Sequence, residues 1–207
     1  MTIIFYALGA VAVITLFWFL TGLKHIQAVS TGEIIGERSE TALILIDLQT
    51  VFWERGPYFE KAKSMAKDAI VEEINRAKEY GYPIIAVRHE WSIASTKLIA
   101  RMFMKGQGIE GTAGTELLDT FRNLADHELI KRVQDAFESG ELDELLKRYK
   151  VGKLRLVGLD FNYCVQKTAL AARNRCYEVL VIESATLAST SKERTLKCLS
   201  KHDVHVQ

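Results

Sequence analysis

Residues 42–47, ALILID, decide the fold: a nearly continuous apolar run closed by a carboxylate, as expected of a short strand buried on both faces. Residues 60–80 follow with Ala62, Met65, Ala66, Ala69, Ile70, Ile74 and Ala77 at helical spacing, ended by Gly81 and Pro83. The same alternation continues down the chain. Strands are predicted at 83–88 (PIIAVR), 128–132 (ELIKR), 153–159 (KLRLVGL), 178–183 (EVLVIE) and 204–206 (VHV). Helices are predicted at 93–104, 114–125, 141–149, 162–174 and 191–201. Strand–helix alternation implies crossover connections and a sheet covered on both sides. The fold expected is α/β, a three-layer sandwich with a mostly parallel, about six-stranded sheet. Ligands bind such sheets outside the carboxyl ends of the strands.

Composition narrows the function. The chain has 207 residues, 48% hydrophobic and 26% charged, which suits one compact domain plus a short extra segment. Lys plus Arg total 27 and Asp plus Glu total 26, a balance that excludes gripping nucleic acid by charge alone. Three scattered cysteines make neither a disulfide framework nor a structural zinc site.

The amino terminus stands apart. No charged side chain occurs before Lys24, and residues 2–23 read TIIFYALGAVAVITLFWFLTGL. As a helix this run would reach about 33 Å, enough for a bilayer core of about 30 Å. Phe17, Trp18 and Phe19 lie toward one end, where aromatic residues meet the interface. A cleaved signal is the alternative, but signals begin with positive charge and carry a shorter apolar core. We therefore expect a transmembrane anchor over 1–23, a linker over 24–40 and a globular domain over 41–207. Lys24 and His25 follow the span and nothing basic precedes it, so the positive-inside rule puts the domain in the cytoplasm, as a single-pass membrane protein.

Three strand ends carry chemistry-bearing side chains. Asp47 closes the first apolar run, Lys131 sits within the third strand, and Cys164 follows the fourth. Taken singly, Asp47 could cap a turn, Lys131 could snorkel to the surface and Cys164 could be a small buried residue. Together they make a nucleophile, a proton acceptor and a cation. A thiol in the first turn of a helix, beside an ammonium, is expected to have a lowered pKa. Cys176, twelve residues on, is about 18 Å away by helical rise, too far to serve as a resolving thiol.

The segments ALILIDLQTVF, LIKRVQDAF with ESGELDELL, and LRLVGLDFNYCVQKTALAA resemble the isochorismatase-like hydrolases, also called cysteine hydrolases, over about residues 41–190. The resemblance implies a triad of Asp47, Lys131 and Cys164. In it the cysteine attacks a carbonyl carbon, the aspartate carries the proton, and the lysine holds the aspartate. It also implies a cis peptide at Leu159–Asp160 and an oxyanion hole made by the backbone N–H groups of Asp160 and Cys164. A small-molecule substrate follows, and family members are often dimers or tetramers, so a homo-oligomer is open. Two positions depart from the family pattern: Asp160 stands where a small residue is common, and Cys176 where glycine is. A carboxylate beside an oxyanion hole is unfavourable unless it points away.

Nicotinamidase-type members bind a metal through an Asp-x-His pair after the second strand. Here that region reads AVRHEWSIAS, with His89 and Glu90 adjacent and on opposite faces. No metal and no cofactor are expected. Phe52, His89, Trp91 and Tyr163 are candidates for the substrate pocket, with packing as the alternative for Trp91 and Phe52. Gly106, Gly108 and Gly111 spell GxGxxG, but no strand precedes them, so we expect a mobile loop near the pocket rather than a dinucleotide site. Two functions follow: a membrane-anchored cysteine hydrolase acting on a small amide or related C–N bond, or a non-catalytic membrane-tethered binding or assembly module of the same fold.

Overall fold

The structure, a computed structural model, describes residues 2–207; for residues 2–5, 7, 8 and 10–12 it describes the backbone alone. Six strands form one parallel sheet in the order β3-β2-β1-β4-β5-β6. They are β1 (Glu40–Ile46), β2 (Ile84–His89), β3 (His127–Lys131), β4 (Val151–Leu159), β5 (Glu178–Leu187) and β6 (His205–Val206). The helices are α1 (Thr2–Gln27), α2 (Thr50–Arg55), α3 (Glu60–Tyr80), α4 (Ala94–Phe103), α5 (Glu141–Arg148), α6 (Gln166–Arg173) and α7 (Glu193–Lys201).

The period of β1 builds the three layers. Leu43 and Leu45 pack with Ala66, Ile70, Ile74 and Ala77 of α3 on one face. Ala42, Ile44 and Ile46 pack on the other with Leu142 and Leu146 of α5, Ala169 and Ala172 of α6 and Leu199 of α7. Every β1 side chain from Ala42 to Ile46 is buried, which is why the run reads as continuously apolar rather than alternating.

Two expectations fail locally. Residues 114–125 form successive turns, not a helix. Leu118 N–H bonds to the Leu48 carbonyl and Gln49 pairs with Leu117, so the segment is tied to the end of β1 and cannot close its own helical ladder. The helix expected over 162–174 is divided: Phe161–Val165 is a wide π turn, and the α-helix begins at Gln166.

The backbone of the expected membrane span is helical. Among the described residues no helix is long and apolar enough to cross a membrane; the side chains at 2–5, 7, 8 and 10–12, on which the expected span falls in part, lie outside the described residues. The carboxyl half of α1 packs on α4. Phe19 lies 6.0 Å from Phe103 between ring centroids, and a Cβ at Gly22 would come within 2.8 Å of Ser95. Leu23 and Ile26 join Trp91, Ile99 and Ile109 in a third apolar cluster. Beyond α1 the chain runs extended over the domain. Ser30 N–H bonds to Asp135 Oδ2 at 2.7 Å, and the buried Arg175 donates to the carbonyls of Ser30 and Thr31 while pairing with Asp143 at 2.7 Å.

One buried side chain ties the strand ends together. Gln49 Nε2 donates to the carbonyls of His89 and Thr115, and Gln49 Oε1 accepts from His89 N–H at 2.6 Å. Replacing Gln49 with alanine removes both bonds to the His89 backbone, while the Thr115 carbonyl keeps its bond from Arg88 Nη1 at 2.8 Å, and the loss expected in denaturant unfolding is about 1–3 kcal/mol. A variant as stable as the parent would show that these bonds contribute nothing.

Candidate active site

The carboxyl ends of β1, β2, β3 and β4 converge because they are neighbours in the sheet. Asp47 is the first residue past β1, in the left-handed region at φ 54°, with its N–H on the Val87 carbonyl. Lys131 ends β3 and is in register with His89 at the end of β2. Cys164 lies in the π turn that follows β4. At Gly158 (φ 119°) an added Cβ would collide with the Ile46 carbonyl, so the close approach of β4 to β1 beneath this site requires glycine.

The centre of the site is the Lys131 ammonium, 1% exposed. It lies 2.9 Å from Asp47 Oδ2, 2.6 Å from His89 Nδ1, 3.2 Å from the Val133 carbonyl and 3.2 Å from Cys164 Sγ. Three protons are thus spread over four acceptors. Asp47 and Cys164 are also buried, at 3% and 9% exposure.

Burial sets the protonation states. It pushes the Asp47 carboxyl above its ordinary range, against the pull of Lys131. For Lys131 the loss of water alone would lower the pKa, but the Asp47 charge and the hydrogen bonds to Asp47 and Cys164 outweigh it and the ammonium is retained. Burial, then the Lys131 charge, drives His89 well below its ordinary value, so the imidazole is neutral. The Cys164 thiol is raised by burial and then by the Asp47 charge, more than Lys131 lowers it. This reverses the lowered pKa expected from the sequence. The water the sulfur loses and the carboxylate it gains outweigh the helix end and the ammonium, and Cys164 precedes α6 instead of opening it. The resting site is an ion pair beside a protonated thiol.

The Leu159–Asp160 peptide is cis. The Asp160 carbonyl accepts from the N–H groups of Tyr163 and Val165, on either side of Cys164. The Asp160 carboxylate is occupied elsewhere. Oδ1 accepts from Asn162 N–H at 2.7 Å, and Oδ2 accepts from Ser189 N–H at 2.7 Å and from the Tyr58 hydroxyl at 3.2 Å. It caps its own turn.

A cavity of about 180 Å³ opens on Asp47 and Cys164, and Phe52, His89, Trp91 and Tyr163 all line it. Sequence reasoning missed Tyr58, Met104, Gln107 and Gln134 in the same wall. Glutamine carries no strong chemical signal, and none of these residues lies at a strand end. The glycine-rich loop closes one side: Trp91 N–H bonds to the Gly108 carbonyl at 2.8 Å, and a Cβ at Gly108 (φ 70°) would strike the Phe52 ring. A wider cleft of about 510 Å³, lined by Pro83, Asp126 and His127, lies at the opposite, amino ends of β2 and β3, away from this chemistry.

Asp47, His89 and Cys164 bring potential metal ligands within 4.8 Å of one another. They do not fit a metal ion, because the Lys131 ammonium already bonds to all three. Glu90 turns away to pair with Arg88 at 2.6 Å.

A family model described as the Isochorismatase domain matches residues 41–200. Solved structures share the fold. A pyrazinamidase/nicotinamidase from Streptococcus mutans is 22% identical with a TM-score of 0.69, over 81% of this chain and 100% of that one. An N-carbamoylsarcosine amidase from Thermoplasma acidophilum is 22% identical with a TM-score of 0.70, over 82% of this chain and 96% of that one. A pyrazinamidase from Pyrococcus horikoshii, solved in complex with zinc, is 23% identical with a TM-score of 0.67, over 82% and 99%. No curated protein matches the chain in sequence.

The raised thiol pKa gives a direct test. Alkylation of Cys164 by iodoacetamide, followed by peptide mass spectrometry, is expected to be slow near neutral pH and to keep rising beyond pH 9.0, the ordinary thiol value. A rate already level below pH 8 would mean a preformed thiolate.

Proposed function

This chain belongs to the isochorismatase domain family, and on that premise we propose that it is a cysteine hydrolase cleaving a small amide or related C–N bond through a thioacyl intermediate on Cys164. The observation that carries the reading is the Lys131 ammonium within bonding distance of both Asp47 Oδ2 and Cys164 Sγ. Amidase activity in two proteins of like fold agrees with it.

In this mechanism Asp47 takes the thiol proton as Cys164 Sγ attacks the carbonyl carbon. Its free Oδ1 has no partner within the protein and is the atom open to that proton. The developing oxyanion lies against the N–H groups of Asp160 and Cys164, where one such donor is worth about 3 kcal/mol of barrier. Asp47 then gives the proton to the leaving nitrogen and the C–N bond breaks. A water molecule, deprotonated by the same carboxylate, attacks the thioester; the acid leaves and the thiol is restored. Lys131 keeps Asp47 ionised in a buried site and steadies the sulfur as it gains charge.

The alternative, a non-catalytic module, draws on Asp160 and on the anchor; the Asp160 carboxylate is engaged by three hydrogen bonds within the protein, which weakens the first of these supports. The reading also includes a membrane anchor at residues 2–23, supported by the charge-free run of sequence and its helical backbone.

Two experiments test these claims. Cys164→Ala is expected to abolish hydrolysis of any amide the parent turns over, with circular dichroism unchanged, and Asp47→Asn to lower kcat by roughly 10²–10⁴. Full activity in either variant would refute covalent catalysis by this triad. In alkaline carbonate extraction of membranes from cells expressing the full chain, the protein is expected in the pellet; release into the supernatant would remove the anchor.

A further inference from the structure

Three buried polar atoms on residues lining the cavity have no partner within the protein: His89 Nε2, Trp91 Nε1 and Gln134 Oε1. The catalytic Asp47 Oδ1 is a fourth. Buried polar groups are nearly always satisfied, so four around one cavity call for a ligand. They sort by chemistry. An ammonium has no lone pair, so the contact of Lys131 with His89 Nδ1 makes Nδ1 the acceptor and puts the imidazole proton on Nε2. The indole nitrogen of Trp91 only donates. The two rings lie 3.9 Å apart between centroids, inclined at 60°, which makes them neighbours in one wall. Gln134 Oε1 accepts, as an amide N–H requires, while Asp47 Oδ1 is the atom open to the thiol proton.

We infer that His89 Nε2–H and Trp91 Nε1–H bind an uncharged hydrogen-bond acceptor on the substrate, separate from its scissile carbonyl. This rests on the amide-hydrolase reading and names its substrate class: small neutral amides bearing a second acceptor such as an ether or carbonyl oxygen. Charge excludes the acidic counterpart. Among the described residues no arginine and no lysine lines the cavity, and the buried Lys131 beside it already pairs with Asp47. A substrate carboxylate would be buried there without a counter-ion. The body of the substrate lies among the rings of Phe52, Tyr58 and Tyr163.

Trp91 does the discriminating in the test because its indole makes no hydrogen bond to the triad, whereas His89 also holds Lys131. The probes are cyclohexanecarboxamide, the tetrahydropyran-3- and 4-carboxamides that replace one CH₂ by an ether oxygen, and 4-carbamoylcyclohexanecarboxylate. Binding is measured by calorimetry on the full chain carrying Cys164→Ala, so the result does not depend on turnover and stands apart from any failure of the hydrolase reading. The better tetrahydropyran amide is expected to bind about tenfold more tightly than cyclohexanecarboxamide, the worth of one or two hydrogen bonds. Adding Trp91→Phe, which keeps a ring and removes the donor, is expected to bring that ratio below threefold. Equal affinities in the parent, a ratio that survives Trp91→Phe, tightest binding of the carboxylate, or no binding of any probe would each overturn the inference.

Discussion

One buried ammonium organises this site. Taking a lysine out of water is costly unless its protons and its charge are met. Here the charge is met by Asp47, and the protons are shared among a carboxylate, an imidazole, a carbonyl and a sulfur. Each acceptor comes from a different part of the chain: past β1, at the end of β2, beyond β3 and in the turn after β4. The order β3-β2-β1-β4 makes these ends neighbours. The contact that compensates the buried charge is therefore the one that brings Asp47, His89 and Cys164 together, the side chains on which the proposed chemistry rests.

The same burial decides how the thiol can work. Water is excluded from sulfur and carboxylate alike, so both resist holding charge, and the thiol resists it more because a carboxylate faces it. In the proposed mechanism the protonated thiol passes its proton to Asp47 at the moment of attack. That differs from a stored thiolate, in which a helix end and a cation do the work in advance. Asp160 fits this arrangement by being spent on its own turn, where Asn162, Ser189 and Tyr58 hold it.

Long-range packing reaches the cavity wall. Trp91 faces the cavity with one part of its surface and belongs to the cluster with Ile26, Ile99 and Ile109 with another. Through that cluster, α1 supports a wall of the site that the sequence assigned wholly to the globular domain. Gln49 and Gly108 act in the same region: the first locks the end of β2, and the second lets the loop close on Phe52.

The sequence by itself determined the sheet and singled out Asp47, Lys131 and Cys164. An unbroken apolar run such as ALILI is stable only as a strand covered on both faces, and helical spacing over 60–80 supplied one cover. Both are local patterns, readable without neighbours. Asp47, Lys131 and Cys164 were legible because each sits at a strand end, where a parallel sheet collects its chemistry. Tertiary structure decided what depends on surroundings. It broke the expected helix at 114–125 by tying the chain to β1, reversed the shift of the Cys164 thiol by removing its water, and engaged the Asp160 carboxylate with Asn162, Ser189 and Tyr58. It also gave Gln49, Tyr58 and Gln134 roles that no spacing announces. A side chain's identity fixes which bonds it can make, but its partners and its solvent are set by residues distant in the chain, and only the folded sheet brings them within reach.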